Sequence, residues 1–183
     1  MQNQNTVPTL PVIKTDRLVL RAIRADDAAS LHVALSDEAL MTWWSSGPHA
    51  DLSESEDYVA INARQENGYR CWAITAQDDV ALGWVILIEK RSGVQELGYI
   101  LRRDSWGRGY ASEAAAAVID YAFEALDTRR VFADVDPDNA ASIELLKRLH
   151  FVAEGHLRDE WETHIGLRDS LIFGLLPRDR EGV

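Results

Sequence analysis

Gly107 and Gly109 stand one residue apart in the stretch Arg103-Asp104-Ser105-Trp106-Gly107-Arg108-Gly109-Tyr110-Ala111-Ser112-Glu113-Ala114. An apolar, strand-like run from Leu97 to Leu101 precedes them, and the spacing from Ala111 to Leu126 predicts a long amphipathic helix. The two glycines therefore fall where a strand hands over to a helix. The first N–H groups of a helix lack partners inside it and point outward, and the helix dipole adds partial positive charge there. Glycine lets backbone approach a ligand closely and accepts positive φ without strain. The chemistry such a place can do is to hold a phosphate or pyrophosphate. Two known phosphate loops do not fit. The dinucleotide fingerprint needs a third glycine where this chain has Ser112, and a Walker A loop needs Gly-Lys-Ser/Thr, which is absent. A bare Gly-x-Gly more often marks a tight turn with no ligand, so the rest of the chain has to decide.

The elements that would position this loop follow from periodicity. Thr15 to Ile23 alternates as a first strand, with Leu18, Leu20 and Ala22 on one face. Ala25-Asp26-Asp27 opens a helix running to about Leu35. Met41 to His49 is a loop marked by Gly47-Pro48, and its pair Trp43-Trp44 is either a packed lid or part of a ligand pocket. Ser53 and Glu56 match a capping box for a helix ending near Asn67-Gly68. Tyr69–Ile74, Val80–Glu89 and Val94–Leu101 are three strands joined by short turns, an antiparallel meander. After the glycine loop, Ala111, Ala114, Ala115, Val118, Ile119, Ala122 and Leu126 give the helix a narrow, alanine-rich contact face. Arg130–Val135 is the next strand, which makes strand–loop–helix–strand a βαβ unit. A second helix with Ile143, Leu146 and Leu149 inside follows the Asp136-Pro137-Asp138-Asn139 turn. Phe151 to Glu154 begins a strand, Gly155 to Glu162 gives no clear signal, and Ile165 to Leu176 holds the last strand. Residues 1–14 read as a flexible arm, 15–177 as one mixed α/β domain and 178–183 as a tail.

The net charge of −11 speaks against nucleic-acid binding, which needs clustered Lys and Arg. The same acidity suits a cationic acceptor, but taken alone it is better read as plain solubility. No apolar run is long enough for a membrane helix. One cysteine, Cys71, fits a reducing cytoplasm and permits no internal disulfide. The histidines show no metal-ligand spacing. The expectation is a cytoplasmic protein that needs no metal, nucleic acid or membrane.

Several separated segments together resemble one family. Thr15-Asp16-Arg17-Leu18-x-Leu20-Arg21, Glu96-Leu97-Gly98-Tyr99, Trp106-Gly107-x-Gly109-Tyr110-Ala111-Ser112-Glu113-Ala114, Asn139-Ala140-Ala141-Ser142-Ile143 and Leu149-His150-Phe151 occur in the order and spacing of GNAT N-acetyltransferases, in the branch of the ribosomal-protein N-terminal acetyltransferases RimJ and RimL. The resemblance covers residues 15 to 176. It implies a mixed sheet of about six or seven strands, splayed between the fourth and fifth, with acetyl-CoA wedged between them. The amides around Trp106, Gly107, Arg108, Gly109, Tyr110 and Ala111 would cradle the pyrophosphate, with charge added by Arg103 and Arg108. Tyr99, Ile100 and Leu101 would contact the cofactor, and Asn139 would cap its helix and contact CoA. Three positions depart from the family pattern. Asp104 replaces a Gln or Arg, and its carboxylate is expected to turn away from the phosphates. Leu146 replaces a tyrosine that protonates the leaving thiolate. His150 replaces a glycine.

Acyl transfer to an amine needs a base for the amine, a donor for the oxyanion and a donor for the leaving thiolate. The resemblance assigns Glu96 as the base, directly or through water, and Ser142 as the donor to sulfur. A backbone N–H near Tyr99 or Ile100 would meet the oxyanion. Asp134, Glu160, Glu162 and His164 are further candidates for the base. Trp43 and Trp44 are candidates for contact with the acceptor, which is the N-terminal α-amine of a protein or peptide, or a small-molecule amine. The alternative is a CoA-binding regulatory module without turnover. A homodimer stays open.

Overall fold

The computed structural model describes residues 10–66 and 68–180. An eight-stranded mixed sheet runs through it. In chain order the strands are β1 (Ile13–Lys14), β2 (Val19–Ala22), β3 (Tyr69–Thr75), β4 (Ala81–Arg91), β5 (Val94–Leu101), β6 (Arg130–Val135), β7 (Val152–Thr163) and β8 (Gly166–Leu175). Their order across the sheet is β1-β2-β3-β4-β5-β6-β8-β7, and every neighbouring pair is antiparallel except β5 with β6. The helices are α1 (Ala28–Leu35), α2 (Glu38–Met41), α3 (Leu52–Asn62), α4 (Tyr110–Ala125) and α5 (Ala140–Arg148).

The alternation of side chains along the strands builds two cores, one on each face. Leu97 and Leu101 of β5, Val131, Ala133 and Val135 of β6 and the buried stripe Ala114, Ala115, Val118, Ile119 and Ala122 of α4 belong to one core. Ile100 of β5, Trp84 and Ile86 of β4 and Leu31, Leu35 and Val59 of α1 and α3 belong to the other. The alanines on α4 let the helix axis come close to the sheet, and that fixes where its N-terminus points.

Three expectations need correcting, and one undecided stretch is settled. The arm assigned to residues 1–14 lies outside the described residues up to residue 9. From Leu10 it is held: β1 pairs with β2, and the Trp72 indole donates to the Pro11 carbonyl at 2.9 Å. Helix α3 is capped by Asp51, which accepts from the Glu54 N–H at 3.1 Å, while Glu54 accepts from Ala50 N–H. Asp51 and Glu54 therefore replace Ser53 and Glu56 as the cap. The same helix stops at Asn62, because Gln65 takes φ 54° and spends its side-chain amide on both backbone groups of Cys71. The stretch Gly155 to Glu162 is strand: β7 runs to Thr163 as a solvent-exposed edge, broken by two register shifts that obscure its alternation.

Candidate active site

The parallel pairing of β5 with β6 spans only Val94↔Arg130, Gln95↔Val131 and Glu96↔Phe132. Beyond Glu96 the strands part, and among the described residues Leu97 to Leu101 have no strand partner on that side. The hydrogen-bond phase of β5 follows from one bond. Arg102 N–H donates to Leu82 C=O at 2.8 Å, in constant register with Trp84↔Ile100 and Ile86↔Gly98. In an antiparallel pair, bonded and non-bonded pairs alternate. Ile100 and Gly98 therefore spend their backbone groups on β4, and Tyr99 and Leu101 turn theirs into the gap. The Leu101 carbonyl is taken by the Trp106 indole at 2.7 Å. Of the two strand donors the sequence suggests, the Tyr99 N–H is the one aimed into the gap.

At the far end of β5 the chain makes a short turn at Arg103–Ser105 and enters the glycine loop. Gly107 and Gly109 both have left-handed backbone, φ 74° and 77°. Gly109 is the residue before α4, among the described residues no side chain caps that helix, and the first helical bond runs from Glu113 N–H to Gly109 C=O at 3.0 Å. The preceding amides have no partner within the helix, and among the described residues a Cβ at Gly107 would meet nothing within 4 Å. Open amides beside a solvent-facing glycine fit a pyrophosphate. Arg108 is exposed beside them. Arg103 is turned to Asp37, at 2.5 Å, and Asp104 is engaged by Arg102 and by the Ser105 hydroxyl.

Glu96 sits at the last paired position before the gap. It is 22% exposed and forms an ion pair with Lys90 at 2.9 Å. Asp134 shares its sheet face, because Phe132 is the register partner of Glu96 and Asp134 lies two residues further along β6. That is about 6–7 Å along the strand. One Asp134 oxygen accepts from the Trp161 indole at 2.9 Å, and the other from the Ser170 hydroxyl. Glu160 and Glu162 lie exposed on β7, and His164 lies in the hairpin turn, its ring close to Gly47.

On the opposite face, Ser142 occupies the first turn of α5. Its N–H is capped by the Asn139 side chain at 3.2 Å. Its carbonyl accepts from the Tyr99 hydroxyl at 3.4 Å, a long bond that crosses from β5 to α5. Burial pushes the Tyr99 phenol up to about 12, so it stays protonated at neutral pH. Sequence reasoning missed this bridge: Tyr99 and Ser142 lie 43 residues apart, and no periodicity relates them.

The two tryptophans separate. Trp44 packs edge-on against Trp84 at 5.8 Å between ring centres and donates to the Tyr58 hydroxyl at 3.1 Å. Trp43 is exposed, with the Arg168 guanidinium 5.9 Å above its ring. Arg168 also binds Asp136 and Asp138 and so ties the β7–β8 hairpin to the loop before α5.

Comparison with known proteins identifies the family. Residues 17–152 match the model of the acetyltransferase (GNAT) domain. An uncharacterised N-acetyltransferase, p20 of Bacillus licheniformis, is 35% identical over 94% of this chain and 100% of its own length. A spermidine N(1)-acetyltransferase of Vibrio cholerae is 26% identical over 79% of this chain and 84% of its own. Among solved structures, RimL, a ribosomal-protein alpha-N-acetyltransferase in complex with coenzyme A, superposes with a TM-score of 0.80 at 22% identity, covering 91% of this chain and 98% of that one. The strand gap, the glycine loop at its end and these matches lead to one conclusion: the chain belongs to the GNAT family and is an acetyl-CoA-dependent N-acetyltransferase.

Proposed function

We propose that the chain transfers acetyl from acetyl-CoA to a primary amine by direct attack in a ternary complex. The acceptor is a peptide N-terminal α-amine or a small-molecule amine. The single observation that carries this reading is the β5–β6 gap, which has open helix amides at one end, a backbone N–H aimed into it at Tyr99, and Glu96 at its closed end. Bound acetyl-CoA supplies a thioester; every other part comes from this chain.

In this reading the amides after Gly107 and Gly109 and the Arg108 side chain hold the pyrophosphate and so fix the donor's depth in the gap. Glu96 removes a proton from the arriving ammonium, directly or through one water, because only the neutral amine has a lone pair to attack with. The Tyr99 N–H stabilises the oxyanion. The Ser142 hydroxyl gives a proton to the departing thiolate and regains the one that the acylated nitrogen sheds as the intermediate collapses. Asp134 supports a second assignment of the base, since it lies on the same sheet face just past the parting of the strands. The named substrates of the relatives, spermidine for one and a ribosomal protein for another, span both acceptor kinds. The net charge of −11 supports a cationic acceptor in either case.

The test is calorimetric titration with acetyl-CoA, then thiol release in the same sample against polyamines, aminoalkyl compounds and N-terminal peptides. The reading expects saturable binding and release with at least one class. Absence of acetyl-CoA binding at millimolar concentration overturns it. If Asp134→Asn abolishes turnover while Glu96→Gln leaves it intact, the base is Asp134.

A further inference from the structure

The opening motif Thr15-Asp16-Arg17 has no part in the chemistry above, yet it reaches the glycine loop across 91 residues of sequence. The Arg17 guanidinium donates through Nη1 to the Arg108 carbonyl at 2.7 Å and through Nε to Glu113 Oε2 at 2.6 Å. It lies over the Tyr110 ring, 5.1 Å from the centroid. The other Glu113 oxygen accepts from the Arg17 backbone N–H at 3.1 Å and from the Thr15 hydroxyl at 2.5 Å. One side chain thus touches three residues of the loop and first helical turn, and it is braced on Glu113.

Three consequences follow. The C=O and N–H of a trans peptide point in opposite directions. Holding the Arg108 carbonyl toward Arg17 therefore aims the Gly109 N–H the other way, on the side opposite Arg17. A Cβ at Gly109 would lie 3.3 Å from Arg17 Nη2, a tight contact with a side chain that can shift, while φ 77° is what favours glycine there. Glu113 lies in the first turn of the helix whose amides face the phosphates, where its charge would repel them. Burial opposes ionisation of Glu113, but the hydrogen bonds from Thr15 and Arg17 outweigh it and hold the carboxyl below the usual glutamate range. The Arg17 cation offsets that charge at the point of contact.

We propose that Arg17, braced on Glu113, is a positioning residue that sets the glycine loop for the pyrophosphate of acetyl-CoA and takes no part in the thioester chemistry. The proposal rests on the reading of that loop as the pyrophosphate cradle. Its test uses the full chain and two donors, acetyl-CoA and S-acetylpantetheine, which carries the thioester arm without pyrophosphate or adenosine. Arg17→Ala is expected to raise KM for acetyl-CoA about tenfold or more with kcat within about twofold, and to leave kcat/KM for S-acetylpantetheine unchanged. Arg17→Lys, which keeps the charge but not the forked reach to Arg108 and Glu113, recovers part of the loss. Equal losses with both donors, or no change with acetyl-CoA, overturn the clamp. Should Arg17→Ala fail to fold, Arg17→Lys and Thr15→Val carry the same comparison. Wild-type protein that uses both donors with the same KM overturns the cradle reading itself, whatever the variants do.

Discussion

Two hydroxyl-bearing residues meet on the α5 side of the gap, through the Tyr99 hydroxyl and the Ser142 carbonyl, and they have different work to do. The Ser142 hydroxyl is the assigned donor to the thiolate, whereas the Tyr99 phenol bridges to the Ser142 carbonyl and is kept protonated by burial. Ser142→Ala is expected to lower kcat by about 10²-fold with little change in donor KM, within the range for loss of one general acid. Tyr99→Phe removes a long hydrogen bond and keeps the ring in its core, so kcat should fall less than tenfold. Steady-state kinetics of both variants check the assignment. The reverse order, with Tyr99→Phe the more damaging, moves the donor role to Tyr99. This pair was only half legible in the sequence. Ser142 stood in a recognisable Asn-x-x-Ser segment, while the Tyr99 contact depends on how far β5 and β6 splay, which no local pattern encodes.

At the scale of elements, helix α5 ends in a way that explains one departure from the family pattern. His150 has φ 67°, its N–H donates to Lys147 C=O and the Phe151 N–H donates to Leu146 C=O. This is a Schellman end, whose left-handed position favours glycine. His150 is exposed there and pays backbone strain for nothing the structure reveals. His150→Gly is expected to stabilise by about 0.5–1 kcal/mol, raising Tm by roughly 1–4 °C in a thermal melt. An unchanged or lowered Tm contradicts the account of this turn. A second element-scale prediction concerns the loop that carries Trp43. The buried Ser55 hydroxyl of α3 meets Nδ1 of His32 from α1 at 2.8 Å and Nδ1 of His49 from the loop at 2.9 Å. Burial, reinforced by His32 and opposed by Glu54, lowers the His49 pKa. A histidine whose folded pKa is depressed loses stability as pH falls below its unfolded value near 6.5. His49→Asn should therefore flatten the fall in Tm between about pH 7 and about pH 5. An identical slope in the variant removes His49 from the explanation. These histidines were invisible as a group, because spacing along the chain does not report that α1, α3 and the loop converge.

Across the whole molecule, the strongly acidic composition is organised by ion pairs. Hydrogen bonds from Arg21 and Arg24 hold the Asp79 carboxyl below the usual range, and those from Arg168 do the same for Asp136. At Asp37, burial works against ionisation but Arg103 and two backbone amides prevail. A carboxylate whose folded pKa is depressed adds stability that is present above its unfolded value near 4 and is lost as pH falls through the folded one. Urea titrations should thus give a midpoint that holds from neutral pH to about pH 5 apart from the histidine contribution and drops steeply below about pH 4. A midpoint that rises on acidification would mean that repulsion within the net charge of −11 outweighs these pairs. The meander, the βαβ unit and the glycine loop were readable because each rests on short-range periodicity and turn chemistry. The exposed strand β7, the early end of α3 and the tether from Thr15 and Arg17 to Glu113 were not. They depend on bulges, on side-chain bonds to backbone and on contacts across the sheet.

The central claim is that Glu96, at the closed end of the gap, deprotonates the acceptor. The most direct measurement is thiol release by wild type and Glu96→Gln with one good amine acceptor from about pH 6 to about pH 10. The account predicts a loss of about 10²-fold in the variant near neutral pH that shrinks toward high pH, where the acceptor sheds its own proton. A constant ratio across the range, or no loss at all, contradicts it.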